Sequence, residues 1–263
     1  MSETQCLIAI GGNIQASKTL PKRAVQLLES SDLQVLRLSE SFITAPVGEN
    51  AGTEFVNAAA VIQTSLTPFE LLGRLHATEN QFGRTRDIHW GPRPLDLDLI
   101  FYGDQVIERP DLVIPHPAMW YRRFVLDPSI QVAADWAHPV LGVSVQDLHD
   151  RLLSRPLIFE YCLHQESQQT DVAQLSVPME NTIQHFLTVG KAELHFQHTE
   201  PRQPMSDVAC ARLIFGRPVA AGWSQPSPPG QRFAIDLPLN STVESIEEFW
   251  SKEMTNLFAA IHG

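Results

Sequence analysis

The alternation of apolar and polar positions marks out the elements of this chain before any single residue is considered. Cys6-Leu-Ile-Ala-Ile10 is an apolar run ended by Gly11-Gly12-Asn13, the pattern of a central strand and a tight turn. Leu20, Ala24, Leu27 and Leu28 fall at helical spacing within residues 19–30, and residues 33–43 read as a strand. Phe55-Val-Asn-Ala-Ala59 opens another strand, running to about Thr64. Thr67-Pro-Phe-Glu70 is a capping box with proline at the first helical position and predicts a helix to about Phe82. Leu72, Leu75, Glu79 and Phe82 share one stripe of it. A carboxylate there is costly unless partnered, so Glu79 is either a buried partner for an arginine or a site residue.

The most informative stretch is residues 89–100, His-Trp-Gly-Pro-Arg-Pro-Leu-Asp-Leu-Asp-Leu-Ile. Leu95, Leu97 and Leu99 alternate with Asp96 and Asp98, which predicts a strand with one buried face. Both carboxylates then share the other face, roughly 6.6 Å apart. Such a face is either simply solvated or filled by counter-charge. Mg²⁺, a hard cation that takes oxygen ligands and brings phosphate with it, is the natural candidate. Arg84, Arg86 and Arg93 bracket the pair, and guanidinium forks bind phosphate oxygens. Gly11-Gly12-Asn13 is not followed by the spacing of a P-loop.

Downstream, Gly103-Asp104 reads as a hairpin turn with Val106-Ile107 as its return strand. Helices are expected over residues 125–135 and 144–153, with His138-Pro139 and Gly142 in the turn between them. Arg155-Pro156 is a plausible boundary. Beyond it a second α/β unit is expected, with strands at 157–163, 191–197, 208–215, 218–223 and 232–236 and a turn at Gly216-Arg217-Pro218. Ser241-Thr-Val-Glu244 caps a final helix with Ile246, Phe249, Trp250, Leu257 and Ile261 on one side. His164, His185, His195 and His198 lack ligand-like spacing.

At 263 residues the chain has room for one large or two small domains. A net charge of −11 counts against nonspecific binding of nucleic acid or an acidic membrane. An anionic substrate would need a local basic pocket, for which Arg84, Arg86, Arg93, Arg122 and Arg123 are available. The three cysteines, Cys6, Cys162 and Cys210, are far apart, so a disulfide framework or zinc site is not expected. The first residues lack a basic segment and a long apolar run, and a cytoplasmic enzyme without a membrane span is expected.

Residues 89–100 resemble throughout the signature of the 6-hydroxymethyl-7,8-dihydropterin pyrophosphokinase family, basic-x-Gly-Pro-Arg-x-x-Asp-aliphatic-Asp-aliphatic-aliphatic, with His89 in the basic position. The resemblance extends over about residues 5–150. It implies an α+β fold: a ferredoxin-like pyrophosphokinase sandwich over residues 1–155, with a smaller α/β unit of unknown role at 156–263. It also implies transfer of pyrophosphate from ATP to 6-hydroxymethyl-7,8-dihydropterin, a step of folate biosynthesis that releases AMP.

On this resemblance Asp96 and Asp98 hold two Mg²⁺ and, with Arg84 and Arg93, are the catalytic residues. Thr44, Val47, Phe55, Asn57, Trp90 and Phe124 bind the pterin. Glu79, Arg84, Arg93, His116 and Arg122 bind ATP. The implied partners are small molecules only, with neither nucleic acid nor membrane, and the chain is expected as a monomer or homodimer.

There are departures. Gly12 replaces a common serine, Ala45 a common proline and Phe55 a common tyrosine; Asp111, Val113 and Pro117 differ from many members near the adenosine. Two alternatives stay open: a noncatalytic pterin- or nucleotide-binding regulatory protein on the same fold, and a kinase that moves only the γ-phosphate.

Overall fold

The computed structural model describes residues 3–13, 18–45, 54–83, 94–163, 172–189, 194–198, 211–218, 232–237 and 243–262. The chain divides into two compact units, Met1–His149 with Ala259–Gly263, and Asp150–Phe258. Helices and sheets are mixed in both. Among the described residues no helix is long and apolar enough to cross a membrane.

The first unit is built on a sheet of β1 (Thr4–Gly12), β2 (Leu33–Leu38), β3 (Phe42–Thr44), β4 (Phe55–Thr64) and β5 (Asp96–Tyr102). The strand order is β2-β4-β1-β5, with β3 also on β4, and neighbours are antiparallel. One face carries Cys6, Ile8, Ile10, Ala58, Ala60, Ile62, Leu97 and Leu99. Helices α1 (Leu20–Leu28) and α2 (Pro68–Gln81) cover it with Leu20, Ala24, Val25, Leu28, Leu71 and Leu75. Alternation puts Leu7, Ala9, Ala59, Val61 and Phe101 on the other face, where they are buried as well. Helix α3 (Arg123–Ala133) lies against β1, β3 and β4.

The capping box opens α2 as expected: Glu70 N donates to Thr67 Oγ1 at 3.4 Å, and Thr67 N to the Glu70 carboxylate at 2.8 Å. Four local expectations are corrected. Gly11 and Gly12 are not a turn but the end of β1, paired with Asn57 and Val56. The strand expected over 33–43 is two strands, because Ser39 leaves the ladder to bond Ala59 through backbone and side chain. The return strand after Gly103 does not pair with β5; β6 (Ile107–Arg109) pairs with β7 (Leu112–Ile114) as a separate hairpin. Gly216-Arg217-Pro218 is not a turn: β10 (Ala211–Pro218) runs through it with a register shift between Phe215 and Arg217.

Helix α4 (Val145–Leu153) is capped by Ser144 and Asp147, which exchange hydrogen bonds of 3.0 Å. The second unit holds β8 (Leu157–Leu163), α5 (Val172–Val189), β9 (Leu194–His198), β10, β11 (Arg232–Leu237) and α6 (Val243–His262). Its sheet is parallel throughout, in the order β11-β10-β8-β9. Parallel strands require crossovers, and α5 supplies the one from β8 to β9. The sequence gives α5 no clear signal, since Pro178 stands inside it. Phe159 of β8 is buried against Phe196 at 5.7 Å and Phe258 at 5.4 Å between ring centroids.

Candidate active site

Register decides what the strands bring together. Asn57 pairs with Gly11, and Gly11 with Asp96, so one row across β4, β1 and β5 reads Asn57, Gly11, Asp96. The next row reads Ala59, Ala9, Asp98. Paired residues of antiparallel strands project from the same face, here the one opposite Ile10 and Leu97. With strands spaced about 4.8 Å, the amide and the nearer carboxylate stand roughly 10 Å apart. Between them the floor is only Gly11 and Ala9. A Cβ at Gly11 would lie 3.3 Å from Asn57 Oδ1 and begin to fill that gap.

At the β4 end of the face, Phe55 pairs with Thr44 on β3. Asn57 Nδ2 donates to Thr44 Oγ1 at 2.8 Å, and the Asn57 side chain is buried. Phe55 and Phe124 are partly buried flat rings, Phe124 in the first turn of α3. The Arg122 guanidinium lies 5.6 Å from the Phe124 centroid and 6.0 Å from that of Tyr121, within cation–π reach.

At the β5 end, Asp96 and Asp98 are partly exposed while Leu97 and Leu99 are buried, as the alternation requires. His116 follows the cis Ile114-Pro115 bond and is tied down by its backbone N–H to the Ile100 carbonyl at 3.0 Å. Its Nδ1 accepts from Ala118 N at 3.2 Å. The neutral ring therefore carries its proton on Nε2, a donor. Burial holds the His116 imidazole below its usual range; Asp98 and Asp96 oppose that and Arg122 adds to it.

Glu79 is buried, and its Oε1 accepts Leu97 N–H at 2.8 Å, between the two aspartates. Of the two sequence alternatives, an arginine partner or a site residue, neither named this backbone N–H as the partner. Val47, Arg84, Trp90 and Arg93 lie outside the described residues. Gly11 was missed as a site position because a glycine before Gly12-Asn13 reads as a turn. Its signal was parity: it stands two residues after Ala9, on the face away from Ile8 and Ile10.

Mg²⁺ fits the donor set. Asp96 and Asp98 present two hard oxygen ligands above a floor of Gly11 and Ala9. Among the described residues no third His, Cys, Asp or Glu joins them into a closed cage. Mg²⁺ is commonly bound this way, by one or two carboxylates, with water and substrate phosphate completing its octahedron.

Residues 7–134 match the family model described as 7,8-dihydro-6-hydroxymethylpterin-pyrophosphokinase. The chain is 42% identical over 126 residues to a 2-amino-4-hydroxy-6-hydroxymethyldihydropteridine pyrophosphokinase of Bacillus subtilis, covering 48% of this chain and 75% of that one. The enzyme of the same name from Pseudomonas aeruginosa is 36% identical over 133 residues, covering 50% of this chain and 82% of that one. Among solved structures, the wild-type HPPK-DHPS of Plasmodium falciparum aligns with a TM-score of 0.42 at 10% identity, over 81% of this chain and 57% of that one.

Proposed function

The chain belongs to the 7,8-dihydro-6-hydroxymethylpterin-pyrophosphokinase family, and from that premise we propose how its residues divide the work. The protein is an ATP-dependent pyrophosphokinase. It transfers the β,γ-pyrophosphoryl group of ATP to the hydroxymethyl oxygen of 6-hydroxymethyl-7,8-dihydropterin, a step of folate biosynthesis. The acceptor oxygen bonds to the β-phosphorus as the bond from that phosphorus to the α,β-bridging oxygen breaks, AMP leaves with that oxygen, and the acceptor proton passes to solvent.

The observation that carries the division is the row Asn57, Gly11, Asp96, which sets an amide and a carboxylate at opposite ends of an open floor. The pterin lies at the Asn57 end, stacked between Phe55 and Phe124, with Asn57 and Thr44 at its polar edge and Val47 and Trp90 completing the pocket. The triphosphate lies at the Asp98 end, with Arg84, Arg93, His116 and Arg122 around it. Glu79 serves the nucleotide half, with its carboxylate against the strand that carries both aspartates. Asp96 and Asp98 hold two Mg²⁺. When bound, these ions supply charge neutralisation at the phosphates and acidify the acceptor hydroxyl. His116 donates from Nε2 as negative charge gathers on the phosphoryl oxygens. Arg122, whose guanidinium lies 5.6 Å from the Phe124 centroid, serves the phosphates beside the stacked pterin. Positioning and electrostatics supply most of the acceleration in such transfers.

The residues 1–155 form the pyrophosphokinase domain in this reading, with a ferredoxin-like core. The order β2-β4-β1-β5, antiparallel, with α1 and α2 on one face, supports it. Residues 156–263 form the α/β unit whose role the reaction does not require.

Incubation with Mg²⁺, ATP and 6-hydroxymethyl-7,8-dihydropterin, followed by separation of the nucleotides, tests the reading. AMP stoichiometric with pterin diphosphate is expected. ADP would mean γ-phosphoryl transfer, and pterin binding without turnover would mean a binding protein.

A further inference from the structure

Arg123 is left unused by the reaction as described, although it stands between Arg122 and Phe124. Its guanidinium is taken by Asp127 one turn along α3: Nε donates to Oδ1 at 3.1 Å and Nη2 to Oδ2 at 2.9 Å. His149 of α4 places Nε2 3.1 Å from the same Oδ1. The carboxylate only accepts, so His149 Nε2 is a donor there. The three side chains are mostly buried, with Arg123 25%, Asp127 15% and His149 10% exposed.

Helix electrostatics do not account for this pair. A cation in the first turn of α3 faces the positive end of the macrodipole, and arginine ahead of aspartate is the less favourable order at this spacing. What holds Arg123 is a planar two-point fork and a third contact from a different helix. The sequence distance between Asp127 and His149 hides that contact.

We propose that Asp127 and His149 are positioning residues for the substrate site, acting through Arg123; this rests on the pyrophosphokinase reading above. They lock the turn from which Phe124 faces the pterin and Arg122 the phosphates. Occupying Arg123 also decides between two adjacent arginines. With its charge matched by Asp127, Arg123 does not compete with Arg122 for the polyphosphate.

Steady-state kinetics on the full chain test this, with thermal melting recorded alongside. Asp127→Asn and Arg123→Met are each expected to raise KM for the pterin about tenfold, with kcat within threefold of wild type. The double variant is expected to match either single one, because the pair acts as a unit. His149→Ala should behave like Asp127→Asn, whereas His149→Gln, which keeps a donor near the Nε2 position, should restore KM. Unchanged KM in Asp127→Asn and Arg123→Met, with or without a lowered melting midpoint, would overturn the inference, as would additive effects in the double variant. A wild-type protein that neither turns over nor binds the pterin would remove the pyrophosphokinase reading, and this inference with it.

Discussion

Asn57 Nδ2 donates to Thr44 Oγ1 at 2.8 Å, and this bond joins β4 to the short strand β3 at the mouth of the candidate site. The amide is thereby held in one orientation, with Oδ1 turned over Gly11. Thr44→Val removes the acceptor at nearly constant volume. It is expected to raise KM for the pterin several-fold and leave KM for ATP unchanged. Asn57→Ala should raise the pterin KM more, and a double-mutant cycle should return a coupling of about 1 kcal/mol.

The two aspartates give a sharper test. Asp96→Ala and Asp98→Ala should each abolish Mg²⁺-dependent turnover while the circular dichroism spectrum stays that of the wild type. Both side chains are partly exposed, so their loss leaves no enclosed cavity. Near-wild-type activity in either variant would refute the metal assignment.

Gly12 bears on the fold rather than the chemistry. A Cβ there would come within 2.5 Å of Leu20 Cδ2 and 2.6 Å of the Pro94 carbonyl oxygen. Leu20 can turn aside, but a backbone carbonyl beside β5 cannot move cheaply. Gly12→Ser, the residue common at the matching position in the family, is expected to cost about 2 kcal/mol of stability in urea unfolding, an overpacking effect. An unchanged midpoint would mean that Pro94 yields.

His138 should make stability depend on pH. Its ring is buried edge-on against Phe101, with centroids 5.5 Å apart, and its Nδ1 accepts from Val140 N and Leu141 N at 3.2 Å each. Burial lowers its pKa from 6.5 to about 4. The folded state thus binds a proton less readily than the unfolded chain. The contribution is fully present above pH 6.5 and is lost as pH falls through that value towards 4, amounting to about 3 kcal/mol. Unfolding midpoints of His138→Gln should fall less steeply over this interval than those of the wild type.

Cys6 should be inert. Burial pushes its thiol up to about 12, and it has no exposed surface. Iodoacetamide at pH 8 followed by peptide mapping should find Cys6 unmodified in native protein and modified after denaturation.

Much of this was legible in the chain, for physical reasons that differ between regions. The β5 alternation, the α2 capping box and the apolar run of β1 are local signals, and each produced its element. Pairing across the sheet is not local. Nothing near Gly11 says that it lies between Asn57 and Asp96, and nothing near Ile107 says that it pairs with Ile114 rather than with β5. Pro178 concealed α5 because proline removes a helical N–H. In the folded chain the Thr182 hydroxyl bonds the Pro178 carbonyl at 2.8 Å. Roles for Asp96, Asp98 and Asn57 are expectations that the family resemblance supplies, whereas the tautomer of His116 depends on a backbone N–H that only folding delivers.

The bonds made by Glu79 and His116 also bear on the edge of the sheet. Among the described residues β5 is the last strand of its sheet, and an open rim of N–H and carbonyl groups is a template on which another chain can grow. Glu79 occupies the Leu97 N–H and the His116 backbone N–H occupies the Ile100 carbonyl. Two of the backbone groups that a further strand could use on β5 are therefore already taken. These two contacts count against edge-to-edge growth on the strand that carries Asp96 and Asp98.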